Sequence, residues 1–115
     1  MTLPALTPVL AGAADAELED WGPLEEATGA PMATHGVELW ADGDQSAGIW
    51  QCAPGPSRWE LATHEVIHVV AGRMTVTPDG GEPVQIGAGD MAVFPKGWTG
   101  TWDIHETLRK VYSIF

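Results

Sequence analysis

The stretch HEVIH, residues 64–68, heads the longer run EVIHVVAG, residues 65–72, and its reading decides the fold. HEVIH fits H-E-x-x-H, the helical pattern in which two histidines hold a zinc ion and the glutamate serves as base. The residues that follow argue against a helix. Val66, Ile67, Val69 and Val70 are β-branched and favour an extended chain, and the run stops at Gly72. On a strand His64 and His68 face the same side but stand about 13 Å apart, whereas zinc holds its nitrogens at about 2.1 Å. The stretch therefore predicts a strand, and it offers no evident third zinc ligand further along.

Working outward, the chain from Val37 onward is a series of short strand-like runs: VELW, AGIWQC, RWELAT, EVIHVVA, MTVTP, PVQIG, MAVFP, GTWDI and TLRKVYSIF. Turn residues such as DGD, APGP, PDGG and GAGD separate them. Short strands at this rhythm predict an all-β sandwich or barrel. The 14 Gly and 9 Pro agree with many turns and short elements. Residues 1–35 are read as an N-terminal arm of the same domain, irregular or with one short helix in AADAELEDW, and residues 36–115 as the barrel. At 115 residues the chain is expected to form one domain with one core.

Sixteen acidic residues against five basic ones give a net charge of -11, and no Lys or Arg precedes Arg58. Such a surface repels phosphate backbones and anionic lipid, so neither nucleic acid nor membrane is expected as a partner. Cys52 is the lone cysteine, which rules out an intrachain disulfide. The N-terminus lacks a basic signal-peptide head, and no stretch has the length of a membrane span. A cytoplasmic location is the expectation.

Two motifs then stand out. Glu65 is followed by Gly72, and a second cluster, GDMAVFPKG, places Gly89, Pro95 and Gly97 in fixed spacing. This arrangement resembles the paired motifs of the cupins, antiparallel double-sheeted jelly-roll barrels. The stretch Leu39 to Tyr112, above all PKGWTGTW followed by ETLRKVY, is similar to the ureidoglycine-aminohydrolase-like cupins, a group that takes in the ethanolamine-utilisation cupins. The resemblance implies a ligand held inside the barrel. It also implies a histidine set for a divalent metal, but here Trp59, Leu61 and Gly100 stand in those positions and only Glu65 remains. No cofactor is therefore expected. A metal could enter only through Glu65 with His68 and a ligand foreign to the family pattern.

Alternation along ETLRKVYSI puts Leu108, Lys110, Tyr112 and Ile114 on one face, mixing apolar groups with an ammonium and a phenol. Glu65, a carboxylate within an apolar strand, needs a partner, and Lys110 is the expected one. Glu65, Lys110 and Tyr112 are thus the candidate catalytic residues. Trp50, Cys52, Trp59, Leu61, His68 and Trp102 are the candidate ligand-binding residues. For His68, alternation points away from Glu65, and only a bulge would turn it inward. The expected function is binding, with or without conversion, of a small polar metabolite by a metal-free barrel. The alternatives are a non-catalytic accessory cupin and a metal-dependent aminohydrolase-like enzyme with a remodelled site. A homodimer is expected, because a second barrel would cover edges that one barrel leaves unpaired.

Overall fold

A computed structural model describes residues 7–115, and within them the chain is all β, with no helix. The strands are β1 (Glu19–Pro23), β2 (Ala33–Asp42), β3 (Gln45–Cys52), β4 (Gly55–Glu60), β5 (Glu65–Pro78), β6 (Val84–Gly87), β7 (Met91–Phe94) and β8 (Thr99–Ile114). All pairings between strands are antiparallel.

The two long strands, β5 and β8, run against each other from Glu65↔Ile114 to Pro78↔Gly100 and organise everything else. The first part of β5 pairs with β7 and its later part with β6. The later part of β8 pairs with β3 and its first part with β4. Each long strand therefore belongs to both halves of the barrel. Each of them looks like two runs in the sequence and is one continuous, bulged strand.

The bulge explains the split. Register shifts fall between Val69 and Met74, and the buried positions change parity there, from Glu65, Ile67 and Val69 to Met74 and Val76. Gly72 sits at the bend with φ +82°, where a Cβ would lie 2.1 Å from the Thr107 carbonyl oxygen. Only glycine fits such an approach. The motif glycine thus sits where β5 bulges and changes the face it buries.

The arm differs from its expectation. Gly12 to Asp15 form a turn, closed by the Asp15 N–H on the Gly12 carbonyl at 2.9 Å, and Glu19–Pro23 forms β1 in place of a helical turn. So short a helix is marginal on its own, whereas β2 pairs with β1 on both sides of Trp21. Arg109 holds the preceding segment down: its guanidinium donates to the carbonyls of Ala13, Ala14 and Ala16 at 3.0–3.1 Å. Residues 1–6 of the expected arm lie outside the described residues.

At the other end of the barrel, Arg58 of β4 grips Asp79 through two hydrogen bonds of 2.6 Å. This pairing holds the Asp79 carboxyl down, from 3.8 to about 2. A carboxyl depressed in the folded state adds stability above its unfolded value and loses it as pH falls through the folded one. Asp79→Asn is expected to flatten the loss of stability between about pH 4 and about pH 2, by a small amount because both groups face water. Denaturant melts across that range check it; an unchanged acid limb contradicts it.

Candidate functional site

The inner faces of the strands converge on one cavity of about 220 Å³. Alternation along β8 brings Lys110, Tyr112 and Ile114 to its wall, and β5 brings Glu65. Trp50 of β3, Trp59 of β4 and Leu61 just after it supply an opposite, apolar side.

Glu65 and Lys110 meet as expected. The Lys110 ammonium donates to Glu65 Oε2 at 2.6 Å, with the two side chains 4% and 9% exposed. The same nitrogen stands 4.5 Å from the ring centroids of both Trp50 and Trp102. Burying either charge alone would be costly; together, with two aromatic faces on the ammonium, they can occupy an apolar barrel.

The aromatic wall is built by mutual contact. Trp59 stacks on Trp102 at 4.5 Å between centroids, and Trp50 meets both edge-on at 6.3 and 6.2 Å. The Trp59 indole N–H donates to Ser57 Oγ at 2.7 Å, and Ser57 donates to the Trp102 carbonyl at 3.3 Å, which fixes the Trp59 ring. Trp102 itself is fully buried behind Trp59, so it supports the wall without lining the cavity.

Trp21 was not among the sequence candidates, yet it lines the cavity. A bulge between Asp20 and Gly22 interrupts β1, with the Gly22 N–H on Asp20 Oδ1 at 2.8 Å. The Trp21 ring lies so close over Gly36 that a Cβ there would be 2.3 Å from it. The only signal in the sequence was a glycine inside the future β2. Thr63 also joins the lining, from the loop ahead of β5.

Besides Trp102, two more of the sequence candidates lie away from the cavity. His68 is exposed on the outer face of β5, opposite Glu65, because strict alternation holds across residues 65–69. It lies over an outer cleft with Met91 and Val111 and does not reach the inner cavity. Cys52 is fully buried and does not line the cavity. Burial pushes its thiol up to about 11, an effect that the nearby Lys110 charge only partly offsets. A thiol so raised is a poor nucleophile. Iodoacetamide at about pH 8 is expected to leave Cys52 unmodified in the native protein and to alkylate it in denaturant. Alkylation at equal rates in both states would contradict this placement.

Tyr112 is buried, and its hydroxyl is pushed up first by burial and then by the Glu38 and Glu65 charges. It is therefore a phenol and a hydrogen-bond donor at neutral pH.

These residues do not fit a metal ion. Trp59, Leu61 and Gly100 offer no side-chain ligand, Glu65 Oε2 is engaged by an ammonium, and His68 faces away. Among the described residues, no three His, Cys, Asp or Glu side chains are grouped so as to hold one. No helix among them is long and apolar enough to cross a membrane.

One continuous sheet of eight antiparallel strands, in which β5 and β8 each pair on both halves, is the arrangement of a cupin barrel. The sequence matches the EutQ-like cupin domain over residues 39–112, and the chain belongs to that family. The same fold occurs in a protein of unknown function of the DUF861 family from Pseudomonas syringae (TM-score 0.79, 19% identity), matched over 87% of this chain and 45% of that one. The present chain thus spans less than half of that relative. The EutQ protein of Clostridium difficile matches with TM-score 0.72 and 16% identity over 87% of this chain and 80% of its own. A putative ethanolamine utilization protein Q from Salmonella typhimurium gives 0.68 and 23%, over 82% and 76%. At these identities the likeness is one of fold. No curated protein matches the sequence.

Proposed function

We propose that this cupin binds a small molecule in the cavity beneath Trp21, with Trp50 and Trp59 against its flat faces and the Glu65–Lys110 pair as polar floor, and that it does so without a metal. The observation that carries this reading is an ion pair that is almost fully buried and yet lines a cavity. A purely structural pair gains nothing from an opening beside it, whereas a ligand site needs a few placed polar groups among apolar ones. Tryptophan emission and thermal melting against a small-metabolite library test it. Saturable quenching with a raised melting temperature is the expected result; no saturable ligand for a folded protein counts against it.

Conversion of the ligand is the second reading, favoured because the Glu65 carboxylate and the Tyr112 phenol line the same space. A bell-shaped pH–rate profile would support it. The finer likeness to aminohydrolase-like cupins adds no step, because these residues do not fit the metal such a reaction would use.

We also propose a homodimer. Met91 and Val93 on β7 are 70% and 56% exposed, beside Val66 and Val111 on the outer face of the sheet. In a chain this acidic, an uncharged face of that kind suits a second copy better than water. Sedimentation is expected to give a dimer that Val93→Lys dissociates; a monomer at high concentration contradicts it.

A further inference from the structure

A lysine at the floor of a pocket suggests an anion site, and the valences of this lysine argue otherwise. An ammonium has three N–H groups. One of those of Lys110 donates to Glu65 Oε2 at 2.6 Å, and the ammonium stands 4.5 Å from the ring centroids of Trp50 and Trp102. Among the described residues it makes no other hydrogen bond, and its charge is already met by the Glu65 carboxylate and two aromatic faces, which leaves it a weak lure for a carboxylate or phosphate.

The open valence belongs to Glu65. Oε2 is taken, while Oε1 has no hydrogen-bond partner among the described residues, although Glu65 lines the cavity. Glu65 thus brings a free acceptor oxygen to a lining that it shares with Lys110. The wider charge is also negative: Glu38 helps to raise the Tyr112 hydroxyl, and the whole chain carries -11. Trp21, Trp50 and Trp59 add aromatic faces, which attract cations and stack on planar groups.

We infer that the cavity selects a small ligand with a planar or apolar body and an N–H donor head of amine, amidine or amide type, received by Glu65 Oε1, and rejects carboxylate and phosphate heads. This inference rests on the proposal that the cavity binds a small molecule at all. Its sign is opposite to what the lysine alone would suggest.

Three probes of one shape separate the cases: benzamidine, benzamide and benzoate, titrated against the wild-type protein by calorimetry. Trp21→Ala serves as the site control, since that ring is 40% exposed and belongs to an edge strand. The expected result is that benzamidine and benzamide bind at least tenfold more tightly than benzoate, and that Trp21→Ala weakens them. Benzoate binding as well or better, with the same sensitivity to Trp21→Ala, overturns the donor selectivity while leaving the cavity as a ligand site. If no probe binds, or if binding ignores Trp21→Ala, the cavity reading itself fails, and the selectivity with it. Glu65→Gln, where it folds, is expected to erase the preference; a preference kept in that variant also overturns the inference.

Discussion

Glu65→Gln and Lys110→Met are each expected to destabilise the protein by about 3–5 kcal/mol, while the double variant recovers most of that loss. Either single change leaves one buried group of the 2.6 Å pair without its counter-charge, in side chains only 4% and 9% exposed. The Coulomb attraction within such a pair is largely offset by the desolvation of both ions, so the intact pair adds little net stability. Its halves, separated, cost much more. The double variant removes both charges and keeps similar volume, which the Trp50 and Trp102 faces accept as apolar contact. Urea melts of the four proteins form a double-mutant cycle. A small loss in either single variant would mean that water reaches the pair more freely than its burial indicates. If Glu65→Gln lowers stability but leaves ligand binding unchanged, the pair is structural only.

Trp102→Ala is expected to cost about 3–5 kcal/mol, the range for truncating a large buried aromatic side chain. Trp102 is fully buried, stacks on Trp59 at 4.5 Å and meets Phe94 at 5.0 Å, so its loss opens a hole beneath the cavity wall. Its indole N–H is buried without a partner among the described residues. That sets a second expectation. An unmet buried donor costs about 1–3 kcal/mol of desolvation, and Trp102→Phe removes it along with some ring area. The phenylalanine variant should therefore lose less than about 1.5 kcal/mol. Equal losses for Phe and Ala would show that the indole shape, rather than apolar volume, holds the core.

Much of the inner face could be read from alternation alone. Alternation along ETLRKVYSI sets Lys110, Tyr112 and Ile114 on one face, and a carboxylate in the apolar strand at Glu65 needs a partner such as Lys110. Trp59 and Leu61 followed from motif position, and both line the cavity. What escaped depends on contacts distant in the chain. Nothing local marks Glu19–Pro23 as a strand, because β1 exists by pairing with β2; Trp21 was lost with it. The Arg109 grip on the arm joins residues 93–96 positions apart, beyond any local pattern. The breaks in β5 and β8 looked like strand ends because Gly72 and its neighbours are bulge residues, and a bulge reads locally as a turn. His68 shows the reverse case: alternation alone points it away from Glu65, and it lies on the outer face, apart from the inner cavity.

The most direct measurement follows the indole N–H signals in a ¹⁵N–¹H spectrum as benzamidine, benzamide and benzoate are added in turn. Six tryptophans report at once. At least one probe is expected to shift the signals of Trp21 and Trp50, which line the cavity, and to leave those of Trp40 and Trp98, which do not. Shifts confined to Trp40 and Trp98, or no shift from any probe, would contradict a ligand site over the Glu65–Lys110 pair.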